Sequence, residues 1–151
     1  DEPATPNDPH WAEEPGHEDD NRWAHRPRLD WDRAARRTDP GTLEGQAFES
    51  LAHLARVRAS LPELHAQAPA QVVRDTDNGI FAVTRTHPSG PMVGVYNVTS
   101  DWRPFPYAVV ADLRMSSPWN ALGSHPVTPE ADGILWLAPY AAWWIVDRPE
   151  E

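Results

Sequence analysis

The stretch His17–Pro27, HEDDNRWAHRP, gathers side chains that could do chemistry. His17, Glu18, Asp19 and Asp20 run into Arg22, Trp23, His25 and Arg26. Three kinds of site could be built from them. The first is a metal site using His10, His17 and His25 with Glu18, Asp19 and Asp20. No HExxH pair, EF-hand loop or Cys/His pattern arranges these donors, so a solvated acidic loop is the expectation and no metal ligand is assigned. The second is a glycosidase pair made of Asp19 and Asp20. Retaining chemistry needs two carboxyl groups about 5 Å apart across a cleft, which adjacent loop residues rarely provide. Salt bridges to nearby arginines are the expected role instead. The third is a polar pocket in which the Arg22 fork orients a carboxylate. Against it stands a plain loop anchored by Trp23 with Arg22 at the surface. The residues alone leave these two open. Elsewhere, Ser89 in HPSG lacks a GxSxG elbow, and no Gly-rich phosphate loop occurs. No catalytic residue is assigned within this chain, and no cofactor is implied.

These residues lie in an irregular region. Residues 1–20 hold eight acids and no Arg, interrupted by Pro3, Pro6, Pro9 and Pro15, and read as a loop or tail. Asp30 then precedes WDRAARR, an N-cap followed by a short helix whose last turn carries Arg33, Arg36 and Arg37. TDPG (38–41) breaks it. Residues 42–61 predict the clearest helix. Leu43, Ala47, Leu51, Leu54 and Arg58 follow helical spacing, and Phe48, Ala55 and Leu61 broaden the stripe. Thr42 can cap its start and Pro62 marks its end. An apolar stripe of this kind must pack on something.

After a connector at 63–70, the pattern changes to strands. QVVRD (71–75) meets IFAVTRT (80–86) across TDNG, and HPSG turns the chain into MVGVYNVT (92–99). YAVVADL (107–113), ILWLAP (134–139) and AAWWIV (141–146) complete six predicted strands, and no internal repeat is seen. The reading is bipartite: an irregular acidic loop with helices over 1–62, then an antiparallel β unit over 71–151. Trp136, Trp143 and Trp144 are expected in the core or at domain contacts. Trp102 and Trp119, placed in turns, are the candidates for exposed stacking.

Composition narrows the partners. The net charge is −10 over 151 residues, which disfavours nucleic acid and anionic membrane. All 13 basic residues are Arg, and there is no Cys, so disulfides and thiol chemistry are excluded. No run of 18 apolar residues occurs, so no membrane-spanning segment is predicted. Proline (17) and Trp (8) are both abundant. Trp serves equally as a core anchor and as a sugar-stacking platform. The chain opens on Asp1 rather than Met, as expected of a processed or excised piece.

DDNRWAHRPRLDW, followed by DPGTLEGQAFESLAHLARVRASLPEL, resembles the amylosucrases, sucrose-using members of the α-amylase superfamily of glycoside hydrolases. The resemblance is carried by Asp20, Arg22, Trp23, His25, Arg26, Pro27, Asp30 and Trp31, then by Gly45, Arg58 and Pro62. GILWLAPYAAWWIV is similar to the last strands of the superfamily's β domain. The resemblance implies the loop and helices that end a (β/α)8 barrel, followed by an antiparallel β-sandwich domain. It implies a retaining transfer of glucosyl from sucrose to an α-1,4-glucan, with sucrose hydrolysis as the main activity of some relatives. The nucleophile and acid/base of that chemistry lie on earlier barrel strands, outside this chain. Sucrose and glucan would therefore meet this segment only through the barrel.

By the same resemblance Arg22 lies at the floor of the glucosyl pocket, paired with an aspartate from an early loop. Arg26 reaches toward the acceptor side. Trp23 and Trp31 anchor the loop on the barrel, and His25 is structural. The isolated chain is then expected to be inactive, with the apolar face of helix 42–61 uncovered. The rival from another class is a β module that binds carbohydrate without chemistry. Localisation and oligomeric state are not indicated.

Overall fold

Local signals build the first helices as expected. The computed structural model describes residues 9–20, 22 and 29–148. The chain divides into two compact units, Asp1–His53 and Leu54–Glu151. In the first, the acidic stretch makes a 3-10 turn over Pro9–Glu13. Helix α1 spans Trp31–Ala35, and Asp30 caps it by accepting from the Arg33 N–H at 2.9 Å. Arg37 donates to the Ala34 carbonyl near its C-terminal end, where unpaired carbonyls attract cations.

Helix α2 spans Leu43–Ser60. The Thr42 hydroxyl accepts from the Gly45 N–H at 3.1 Å, and Pro62 opens a 3-10 turn just beyond the helix. Gly45 sits where the Asp39 carbonyl crosses the first turn. A Cβ there would overlap that carbonyl, so only glycine fits. The stripe of α2 is left uncovered, with Leu43, Phe48, Leu51 and Leu54 all exposed.

The second unit is a small antiparallel β domain with few helices. Its strands are β1 (Ala70–Val72), β2 (Ile80–His87), β3 (Gly90–Asn97), β4 (Arg103–Pro106), β5 (Pro118–Asn120), β6 (His125–Pro126), β7 (Ile134–Leu137) and β8 (Ala142–Asp147). Six form one sheet in the order β1-β2-β3-β8-β5-β6, and β4 pairs with β7 in a second. The core gathers Ile80, Ala82, Val93, Val95 and Ile145 from the large sheet with Phe105, Leu135 and Leu137 from the small one. Burying each of these side chains other than Ala82 is worth about 1.5–3 kcal/mol.

One predicted strand is a helix. YAVVADL folds as α3, Ala108–Asp112, with Tyr107 at its start. A short continuous apolar run suits a strand or a buried helix equally. Here the Tyr107 N–H is taken by the Gly133 carbonyl, and Val110 and Ala111 then bond back to Tyr107. Spacing of three brings Tyr107, Val110 and Leu113 onto the core.

Three strands were not predicted: β4, β5 and β6, all proline-bearing. Pro104 and Pro106 stand two residues apart, so both missing N–H groups fall on one edge of β4. Pro118 opens β5, and Pro126 lies in the outermost strand β6. The antiparallel β character is as expected, with six strands in one sheet and two in the other.

Candidate functional site

Backbone turns hold the described part of the acidic stretch. The His17 N–H bonds the Glu14 carbonyl, the Asp20 N–H bonds the His17 carbonyl, and the Gly16 N–H bonds the Glu18 carboxylate. These turns place Asp20 beneath Arg22. The guanidinium is forked on that carboxylate, with Nε to Oδ1 at 2.7 Å and Nη2 to Oδ2 at 2.7 Å. The Arg22 backbone N–H adds a third bond to Oδ1 at 3.0 Å. The hydrogen bonds to Asp20, and next its negative charge, raise the Arg22 pKa above its already high ordinary value. The Arg22 side chain is 71% exposed.

So within this chain Asp20 takes the fork, in the salt-bridge role expected for the acidic pair. Arg26, Trp23 and His25 lie outside the described residues. Trp31 is 75% exposed. Among the described residues no group of three His, Asp or Glu side chains is placed to hold a metal ion.

A second ion pair braces the helices of the first unit. Arg33 Nε donates to Glu44 Oε1 at 2.6 Å, and Arg36 Nη2 stands 3.9 Å from the same oxygen. Glu44 is buried in the first turn of α2. The Arg33 hydrogen bond, followed by its own backbone N–H, holds the Glu44 carboxyl below the ordinary carboxylate value. A carboxyl lowered in the folded state stabilises the fold above its unfolded pKa, about 4.3. That contribution is lost as pH falls through the lower folded value. Compared with Glu44→Gln in acid unfolding followed by far-UV circular dichroism, the native chain should hold its advantage at pH 7 and lose it below that range. A difference that persists in strong acid would sink this account.

In the β unit, Ser89 stands between His87 and Glu63. Ser89 Oγ donates to Glu63 Oε1 at 2.8 Å, and His87 Nδ1 lies 2.8 Å from the same hydroxyl. The carboxyl meets the serine and not the imidazole, so this is a turn brace and not a hydrolase triad. The tryptophans divide. Trp143 packs on the core and meets His125 edge-on at 5.5 Å. Trp144 donates its indole N–H to Tyr96 Oη at 2.9 Å. Trp102 is 61% exposed, as a stacking candidate should be. Trp119, expected in a turn, lies within β5 with the Arg148 guanidinium 4.4 Å over its ring. Trp136 is also exposed, contrary to a core role.

Asn97 escaped the sequence reading. It is buried at the end of β3, and its amide N donates to the carbonyls of Asp101, Leu137 and Ala138. Its amide oxygen accepts from the N–H and hydroxyl of Thr99. This one side chain holds together the loops after β3 and β7. The only local hint was the VYNVTSD turn chemistry.

The β unit coincides with a known domain type. The family profile described as the amylosucrase C-terminal domain matches residues 70–146. The chain belongs to this family. The amylosucrase C-terminal-like domain also has structural neighbours among α-amylase family enzymes, whose C-terminal β domains it matches in fold. AmyP, as a variant in complex with maltotriose, aligns with a TM-score of 0.59 at 13% identity, over 75% of this chain and 23% of its own. An Anoxybacillus α-amylase aligns at 0.55 and 20% identity, over 70% of this chain and 23% of its own. The trehalulose synthase MutB aligns at 0.50 and 18% identity, over 76% and 19%. Identities this low speak for the fold alone. The chain spans only about a fifth to a quarter of these neighbours' lengths.

Proposed function

We propose that this chain is the C-terminal portion of a retaining α-glucosyltransferase that takes glucosyl from sucrose and passes it to an α-1,4-glucan. Residues 1–62 end its (β/α)8 barrel, 63–70 connect, and 71–151 form its C-terminal β domain. Arg22 lies at the floor of the glucosyl pocket, and Arg26 faces the acceptor side. The nucleophile and acid/base belong to barrel strands upstream.

The observation that carries the reading is the amylosucrase C-terminal domain match over residues 70–146. The uncovered stripe of α2 is in keeping with it, since a barrel's last helix has a sheet to pack against. The test is the full-length protein supplied with sucrose. Fructose release with growth of an iodine-staining glucan is expected, and the 1–151 chain should release none. Equimolar glucose and fructose without glucan would assign sucrose hydrolysis instead. Turnover by the isolated chain would sink the reading.

A further inference from the structure

Three large rings of the β domain stand in water at one end of its small sheet. Trp136 in β7 is 44% exposed, and Trp102, just before β4, is 61% exposed. Tyr140, in the turn between β7 and β8, is 70% exposed. Topology brings them together. Strand β4 runs antiparallel to β7, with Arg103 beside Leu137 and Pro104 beside Trp136. Trp136 alternates with buried Leu135 and Leu137, so it takes the outer face. Pro104 shares that face, because its neighbour Phe105 is buried. Trp102 lies two residues before Pro104 in the same alternation, one diagonal from Trp136. Diagonal neighbours across two strands stand about 7–8 Å apart. The loops after β3 and β7 are clamped at this same end. Asn97 holds the carbonyls of Asp101, Leu137 and Ala138, and the Tyr140 N–H donates to the Thr99 carbonyl.

Single exposed apolar side chains are ordinary, whereas an apolar patch rimmed by polar groups marks an interaction site. Tyr140 is also held at φ 55°, a backbone region unusual for a bulky residue, and such residues cluster where ligands are met. Its exposed ring gains little from burial in return, so packing does not account for the strain. The rim of the patch is polar. The Asp101 side chain is 74% exposed, and Tyr140 brings a phenol hydroxyl. Nucleic-acid bases stack on aromatic rings too, but they come with phosphates. A chain of net charge −10 with Asp101 at the rim repels those. A second copy of this chain meets the same repulsion. A sugar chain is uncharged, and a pyranose ring has the matching form. Its apolar C–H face lies flat on a Trp or Tyr ring, and its hydroxyls reach a carboxylate or phenol at the edge.

We propose that Trp102, Trp136 and Tyr140 form a surface site for an α-1,4-glucan chain, with glucosyl rings resting on the aromatic rings. The choice of glucan rests on the reading of the chain as part of a glucan-building enzyme; the choice of carbohydrate does not. Carbene labelling of the full-length protein, mapped by mass spectrometry, tests it residue by residue. All three rings should label readily in the free protein and several-fold less with maltoheptaose, while cellohexaose leaves them unchanged. Rings that maltoheptaose does not protect would overturn the proposal. Equal protection by cellohexaose would overturn the choice of glucan. Rings already shielded before sugar is added would give this face to another part of the polypeptide, and that too would overturn it. A second readout is retardation in native gels cast with glycogen. The protein carrying both Trp102→Ala and Trp136→Ala, its far-UV circular dichroism unchanged, should be held back several-fold less than the native protein. Full retardation would overturn the site. Neither readout uses sucrose, so protection by maltoheptaose in a protein that does not turn over sucrose would sink the proposed activity and leave this site standing.

Discussion

Arg22→Ala in the full-length enzyme should lower sucrose turnover by orders of magnitude while leaving thermal unfolding nearly unchanged. The two halves of this expectation have different causes. In the chain, the Arg22 guanidinium is forked on Asp20, two residues away, and its side chain is 71% exposed. An exposed local ion pair contributes little to stability. At the floor of a pocket the same fork would meet a carboxylate away from water, and its loss would leave that charge buried and unpaired. Arg22→Lys should not restore turnover, because an ammonium cannot present two parallel donors to a carboxylate. Steady-state kinetics on sucrose, run beside a melting curve, separates the effects. Near-normal turnover by Arg22→Ala would remove Arg22 from the pocket. A large fall in melting temperature would show that the Asp20–Arg22 pair is structural.

Asn97→Ala should destabilise the β domain by about 3 kcal/mol or more, since a stranded buried polar group costs roughly 1–3 kcal/mol. Its amide N serves carbonyls at 2.7, 2.9 and 3.2 Å, and its oxygen serves two donors on Thr99. Alanine removes all of these partners at once from a position 3% exposed. Asn97→Asp should be at least as harmful, because a carboxylate would face three carbonyl oxygens. Denaturant unfolding followed by Trp fluorescence measures both. A loss below about 1 kcal/mol, the worth of a single ordinary hydrogen bond, would mean that water replaces the amide there.

Legibility followed the range of the interactions. The caps at Asp30 and Thr42, the span of α2 and the stops at TDPG and Pro62 all depend on residues within a turn of one another, and all were readable. Strands β2, β3 and β8 were readable because their apolar runs are long and bounded by turns. YAVVADL was not, since its periodicity suits two structures and the Tyr107–Gly133 bond decides between them across 26 residues. Strands β4, β5 and β6 were hidden by prolines, which are tolerated at sheet edges in β4 and β6 and at the first residue of β5. The Arg22 fork on Asp20 is local and was among the readable options. Gly45 was legible as part of a motif, but its reason, the Asp39 carbonyl crossing the helix, was not.

By itself the sequence determined the capped helices, the antiparallel β character, the exclusion of thiol chemistry and the family resemblance. Each of these is written in neighbouring residues or in composition. The tertiary structure decided that β8 leaves its sequence neighbour β7 and inserts between β3 and β5. It also decided that Asn97 ties two distant loops. Hydrogen bonds between strands and burial between layers join residues far apart in the chain, and no local pattern records which partners they choose.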